Sequence, residues 1–235
     1  MTYREPFGDG SILHVVKRGA RGMNIVRDDV DRSRFARLLY FMNDSFKSDF
    51  WERDTANLAP FERPAEWPER EPIVDVLAWT LLDNHFHLIL RVRDATDVPV
   101  FMQKVCQSMS KQFNLRHQGQ GSIFQGPYRS STVDHDEYLR YLAAYVMVKN
   151  SFETQPGGLK RALRDFEGAW NSAFSYRFSS LAVFLGKPGF PILAEENILR
   201  DMFPTEKSFK IAAKDMLLAY AEKRDDLRAL QLEDE

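Results

Sequence analysis

The sequence contains a single cysteine, Cys106, among its 235 residues. A lone cysteine excludes an internal disulfide and any zinc site built from several cysteines of one chain. No segment approaches the roughly 20 uninterrupted apolar positions that a membrane-spanning helix requires. The first residues also lack the apolar segment of a secretory signal. We therefore expect a reduced, cytoplasmic protein without a membrane partner.

The sequence also lacks the excess of basic residues that is typical of nucleic-acid-binding proteins, since its formal net charge is −2. The charges are unevenly distributed, however, because residues 98–133 include no Asp or Glu. Cations in this stretch are candidates to contact DNA phosphates. They are Lys104, Lys111, Arg116 and Arg129. The alternative for each is an ordinary solvated basic surface.

Apolar residues make up 44% of the chain, enough for a substantial core. The β-rich runs are residues 12–17, 73–82, 85–92 and 130–133, and Asp83-Asn84 favours a hairpin between the second and third. Apolar residues at helical spacing predict a helix that Asp31 could cap, a second over residues 99–116, and a third that Asp134 or Asp136 could cap.

The predicted order is strand, helix, strand, strand, helix, strand, helix. This order indicates an α+β domain with a ferredoxin-like or RRM-like antiparallel sheet, covered by helices on at least one face. The proline-rich residues 47–72 are predicted to be an irregular insertion. Segments 159–166, 195–202 and 208–230 predict a mostly helical C-terminal extension. We expect two units, residues 1–155 and residues 156–235.

His85 and His87 are the sharpest local feature. Alternate residues of a strand project to the same face, so two imidazoles at this spacing can bind one metal ion. Phe86 between them would point to the opposite face. The alternative is two ordinary histidines near a hairpin.

A tyrosine-rich helix is the second feature. Tyr138, Tyr141 and Tyr145 share a face at spacings of three and four residues. An aromatic stripe of this kind is usually core packing. A phenol with an ordinary pKa of about 10 needs help from a metal or a base to act as a nucleophile.

Four ordered motifs carry a resemblance to a known family. They are HVVKRGARGMNIVRDDVDRSRF, AWTLLDNHFHLIL, FMQKVCQSMSKQFNLRHQGQGSIFQGPYRS and DEYLRYLAAYVMVKN. In this order they resemble the HUH-type single-tyrosine transposases, the IS200-like group, and especially the REP-associated tyrosine transposases. The resemblance covers residues 12–150.

The resemblance implies a metal-dependent endonuclease and strand transferase that cuts single-stranded DNA through a 5′-phosphotyrosine. His85 and His87 would bind the metal, and Tyr145 would be the nucleophile. Relatives place an amide metal ligand one helical turn after the tyrosine. Here that position is Lys149, whose ammonium has no lone pair to donate, so the adjacent Asn150 is the expected third ligand if the helix end is shifted. This ligand set suits Mg²⁺ or Mn²⁺.

Single-stranded or hairpin DNA is the expected partner. The length of chain after Asn150 favours a monomer over the helix-exchanged dimers of shorter relatives. Two other functions stay open. One is a catalytically weak DNA-hairpin-binding protein, in which Lys149 impairs metal binding. The other is a metal-dependent hydrolase of a different substrate that uses the histidines without a covalent tyrosine.

Overall fold

The structure, a computed structural model, describes residues 6–222. Its centre is a four-stranded antiparallel sheet in the order β2-β3-β1-β4. The strands are β1 (Ile12–Arg18), β2 (Val74–Leu81), β3 (His85–Val92) and β4 (Arg129–Thr132). With one long helix between β1 and β2 and another between β3 and β4, this is the βαββαβ arrangement of ferredoxin-like folds. The predicted α+β class is confirmed.

Helices cover both faces of the sheet. On the first face, α1 (Asp29–Phe41) and α3 (Asp97–His117) bury a cluster that includes Phe86, Leu88 and Leu90 of β3. On the second face, Ile89 of β3 joins a cluster formed with the tyrosine-rich helix and the C-terminal helices. Because β3 is buried on both sides, its sequence is nearly continuous in apolar residues apart from the histidines.

The start of α1 differs from the prediction. Asp28 caps it, because its carboxylate accepts hydrogen bonds from the backbone N–H groups of Val30 and Asp31. Asp31, the predicted cap, lies inside the first turn, where it forms an ion pair with Arg116 and a hydrogen bond with His117. The prediction was wrong because several aspartates lie within one turn here, and only their backbone angles show which one caps the helix.

The insertion is irregular, as predicted, apart from the single-turn helix α2 (Trp51–Asp54), and it packs beside α1. The C-terminal part is helical, as predicted. Its helices are α6 (Gly158–Arg164), α7 (Phe166–Ser175), α8 (Leu181–Phe184), α9 (Ile198–Met202) and α10 (Glu206–Ala221). The predicted continuation of the last helix to residue 230 lies outside the described residues. Within residues 6–222, every helix falls short of the length and apolarity that a membrane crossing requires.

The tyrosine-rich helix contains a wider turn in its middle. It consists of α4 (Asp136–Ala144), a π-helical turn (Tyr145–Lys149) and α5 (Asn150–Glu153). The prediction that Asp134 or Asp136 caps this helix was wrong. The N-cap residue is His135, whose side chain makes no capping hydrogen bond. The N–H of Asn150 donates to the carbonyl of Tyr145, an i→i+5 bond that adds one residue to the turn.

Candidate active site

His85 and His87 lie on the second face of the sheet, beneath the π-helical turn. Their ring centroids are 5.0 Å apart, with an interplanar angle of 71°. His87 is fully buried and His85 nearly so. Phe86 points into the cluster on the first face, so the two imidazoles share one face, as strand alternation requires.

Each histidine is oriented by a hydrogen bond at Nδ1. His85 Nδ1 donates to Oδ1 of Asn84 at 2.6 Å. His87 Nδ1 lies 3.0 Å from Nε2 of His14, and the two rings stack at 5.3 Å. A hydrogen-bond partner at one ring nitrogen fixes the orientation of the imidazole and leaves the other nitrogen, here Nε2, available to bind a metal.

His14 is a functional candidate that the sequence interpretation missed. It is fully buried on β1 and pairs in register with Ile89, so it lies diagonally next to His87. No local pattern in β1 indicates this role, because the contact depends on the register of two strands far apart in the chain. The alternation of β1 alone predicts only which face His14 occupies.

Tyr145 packs against this histidine cluster. Its ring lies 5.9 Å from that of His87 and 6.4 Å from that of His14, in edge contacts. Tyr141, one turn earlier, stacks on Tyr145 at 6.1 Å. Tyr145 is fully buried, so the helix brings the predicted nucleophile onto the predicted metal ligands, inside the molecule.

Lys149 is buried and hydrogen-bonded to the candidate nucleophile, Tyr145. Its Nζ donates to the hydroxyl of Tyr145 at 3.1 Å and forms an ion pair with Glu153 at 3.1 Å. It also lies over the ring of Tyr220 from α10, 5.2 Å from the centroid. A buried ammonium is costly unless it is paired, and these contacts provide that pairing.

Asn150 is fully buried, and neither its amide nitrogen nor its amide oxygen hydrogen-bonds to a residue in the described part of the chain. Buried amides without partners are rare and costly. The π-helical turn makes Asn150, and not Lys149, the residue hydrogen-bonded one turn after Tyr145.

Within residues 6–222, no three His, Cys, Asp or Glu side chains gather as a metal site. A metal at His85 and His87 would therefore need Asn150, or oxygen atoms from substrate and water, to complete its ligands. Two imidazoles and one amide oxygen suit Mn²⁺ or Mg²⁺. The unpartnered amide of Asn150 is the observation that fits such a ligand set.

The four predicted DNA contacts are not brought together. Arg129 lies on β4 in the cross-strand row of His87, since both pair with Val16. Lys104 and Lys111 lie on α3, behind the opposite face of the sheet. Arg116 pairs with Asp28 at 2.9 Å and holds the pKa of that carboxyl well below its usual range.

Arg18 is a cation beside the histidines that the sequence interpretation did not single out. It pairs in register with His85, which places both side chains on the second face, and it is half-buried. A cavity of about 810 Å³ also opens at His85 and continues past Glu153, Tyr176 and Arg177. It is a candidate route for a DNA strand to the histidines.

The fold and the site define an α+β protein that presents a histidine cluster to a buried tyrosine on a π-helical turn. Residues 69–149 match the family model described as IS200-like transposase. The matched segment includes His85, His87 and Tyr145. The predicted resemblance to IS200-like transposases is therefore confirmed.

A solved structure of a REP-associated tyrosine transposase bound to a REP hairpin is also similar. The similarity covers 83% of this chain and 92% of that chain, with 16% sequence identity and a TM-score of 0.43. No curated protein matches this sequence.

Proposed function

We propose that this protein is a metal-dependent single-stranded DNA endonuclease and strand transferase, and that Tyr145 is its nucleophile. One observation carries the proposal. In the segment that matches IS200-like transposases, the ring of Tyr145 packs on His87, which shares a face with His85. The proposed substrate is single-stranded DNA, at a hairpin or palindromic repeat.

His85, His87 and Asn150 would hold a divalent ion, Mg²⁺ or Mn²⁺. Such an ion supplies polarisation of a phosphate oxygen. The hydrogen bonds at Nδ1 of both histidines support this role, because they aim Nε2 away from their Asn84 and His14 partners. The buried, unpartnered amide of Asn150 supports the third position.

The chemical step belongs to Tyr145. Its phenol oxygen attacks phosphorus in line, the bond from phosphorus to the 3′ oxygen breaks, and the phenol proton ends on that oxygen. The products are a 5′-phosphotyrosine and a free 3′-OH. Because one phosphate ester replaces another, rejoining to a different 3′-OH needs no ATP. Lys149 donates to the phenol oxygen and so would hold it in place and stabilise its developing negative charge.

Arg18 and Arg129 are the cations best placed to hold the DNA strand near the histidines. Both lie on the second face, in the rows of His85 and His87 respectively. Guanidinium groups bind phosphates in two-pronged contacts. The strand is thereby held beside the histidine cluster, which a positioned in-line attack requires.

The proposal is tested by incubating the protein with a labelled single-stranded oligonucleotide that contains a hairpin, in Mn²⁺. We expect a denaturation-resistant protein–DNA adduct in the wild type. Tyr145→Phe removes only the hydroxyl, so the adduct should disappear while DNA binding persists. Tyr141→Phe is the matched control and should retain the adduct. An adduct in Tyr145→Phe would contradict the assignment.

A second candidate function is hairpin binding with weak or absent cleavage. The observation that favours it is the buried contact of Lys149 with both Tyr145 and Glu153, which puts a positive charge next to the proposed ligand Asn150. Binding without any adduct in the wild type would favour this function. Metal-dependent hydrolysis of another substrate, with no DNA binding, would favour a hydrolase that does not use the tyrosine.

A further inference from the structure

A second cavity lies between α3 and the insertion, behind the sheet face opposite the histidines. Its volume is about 370 Å³, within the range of small-ligand pockets. Its lining includes three lysines and, among its aromatic side chains, one phenylalanine and two tryptophans: Lys47, Lys104, Lys111, Phe46, Trp51 and Trp67. The lysines come from both walls, since Lys47 belongs to the insertion and the other two lie on α3.

The three ammonium groups outnumber the two carboxylates that line the cavity, those of Asp44 and Asp49. None of them forms an ion pair or hydrogen bond with another residue of the described chain. The nearby carboxylate of Asp44 is buried and already pairs with Arg63. Burial and the neighbouring Lys47 ammonium lower the pKa of Lys104, and together they outweigh the opposite effect of the Asp44 and Asp97 carboxylates. Cations that repel one another around a cavity are stabilised by a bound anion.

The aromatic side chains give the cavity an apolar wall. The rings of Phe46 and Trp67 lie 5.2 Å apart, and both side chains are half-buried rather than fully covered. Trp51 is nearly buried and stacks on Phe41 of α1, which fixes its position. Ammonium groups next to half-exposed aromatic rings are the combination that binds single-stranded nucleic acids, through phosphates and stacked bases respectively.

We propose that this cavity binds one unpaired nucleotide of the DNA strand, with its phosphate against Lys47, Lys104 and Lys111 and its base against Phe46 and Trp67. The inference rests on the proposed function in that DNA is the substrate, and it adds a contact outside the histidine–tyrosine site. It gives the insertion a role in DNA recognition. Lys104 and Lys111 thus act with the insertion, on the side of the molecule away from Arg129.

The first test compares two triple variants in binding to a short oligothymidine. Lys47→Ala/Lys104→Ala/Lys111→Ala removes the charges at the cavity. The matched control, Lys160→Ala/Lys187→Ala/Lys214→Ala, removes three exposed lysines elsewhere. We expect the salt dependence of the affinity to flatten by about 0.7 logarithmic units per decade of salt in the first variant, since the one phosphate that the three lysines contact on a single strand contributes about that much.

Equal slopes for the two triple variants would overturn the proposal. Circular dichroism on both establishes that they are folded. Adduct formation at saturating DNA separates this inference from the proposed function. The cavity variant should still form the Tyr145 adduct, whereas Tyr145→Phe should lose the adduct and keep the full salt dependence. Lysine-dependent binding without any adduct would therefore overturn only the cleavage proposal.

The second test concerns the base. Tryptophan fluorescence should be quenched by oligothymidine, because Trp51 and Trp67 line the cavity while Trp79 and Trp170 are buried elsewhere. An abasic strand of equal length should quench little and bind several-fold more weakly. Equal affinity and equal quenching for the abasic strand would show that the lysines contact phosphates without a nucleotide pocket, which contradicts the proposal.

Discussion

Lys149 places an ammonium group on the oxygen of the candidate nucleophile. The resemblance in the sequence led us to expect a metal-binding amide at this position, and the lysine ammonium has no lone pair with which to ligate a metal. In the structure the lysine faces Tyr145 and Glu153, while Asn150 takes up the next position along the turn. At the residue scale, the buried amide follows the lysine by one position, and the lysine contacts the phenol.

Asn150 leads to a prediction that links stability and metal binding. A buried amide without partners is unfavourable in the metal-free protein, so Asn150→Leu, which has a similar volume, should stabilise that form by about 1–3 kcal/mol. The same change should weaken Mn²⁺ binding. Urea unfolding with and without Mn²⁺ measures both effects. A loss of stability in the metal-free protein would show that the amide has a structural partner.

His14 leads to a second prediction at this scale. Because His14 holds Nδ1 of His87, His14→Phe should keep the stacked ring but release the orientation of His87. Metal affinity should then fall by about 10–100-fold, the usual effect of losing such a partner. Mn²⁺ titration followed by electron paramagnetic resonance gives the affinity directly. His135→Phe, at an exposed position, is the control, and an equal loss in both variants would refute the role of His14.

At the scale of elements, the π-helical turn is the feature that assembles the site. Two side chains from outside the helix bind its carbonyls: the hydroxyl of Thr80 donates to Val146, and that of Ser179 to Met147 at 3.0 Å. Carbonyls that a wide turn leaves without regular helical partners are thereby satisfied. The turn is thus held open by β2 and by the segment that precedes α8.

Thr80 therefore has a predicted energetic role. Thr80→Val keeps the shape but removes the only donor in that side chain, leaving the carbonyl of Val146 buried without it. We expect a loss of about 1–3 kcal/mol in the free energy of unfolding. We also expect weaker Mn²⁺ binding, because the turn can then relax and move Asn150. Thr80→Ser keeps the hydroxyl and should restore both properties; a Thr80→Val protein as stable as the wild type would argue against the role.

The elements also show what a sequence can and cannot predict. The hairpin around His85 and the helix over α3 follow from periodicity within single segments, and both were predicted closely. The π-helical turn was not predicted, because one extra residue in a uniformly apolar helix does not change the visible spacing of its apolar residues. The contact of His14 with His87 was not predicted either, because it depends on strand register rather than on a local sequence pattern.

At the scale of the whole molecule, the second layer of helices was the least predictable part. The sequence indicates helices after residue 158, but the face they cover depends on packing between distant segments. In the structure α7 and α10 pack on the π-helical turn and bury Tyr145 completely. In the proposed mechanism DNA would have to displace part of this cover before the phenol could reach a phosphate, and the strand would enter through the cavity at His85.

This packing leads to the last prediction, on the number of chains. The helix that carries Tyr145 packs on the histidines of its own chain and is covered by α10 of that chain, so one chain holds a complete site. We expect a monomer of 27.3 kDa in light scattering at micromolar concentration.

A mixing experiment distinguishes a monomer from a helix-exchanged dimer more directly. If two chains exchanged their tyrosine helices, Tyr145→Phe mixed with His85→Ala/His87→Ala would regain one intact composite site and form the DNA adduct. In a monomer each variant lacks an essential group, so the mixture should stay inactive at every ratio. Recovery of adduct in the mixture, after unfolding and refolding the two variants together, would show a helix-exchanged dimer instead.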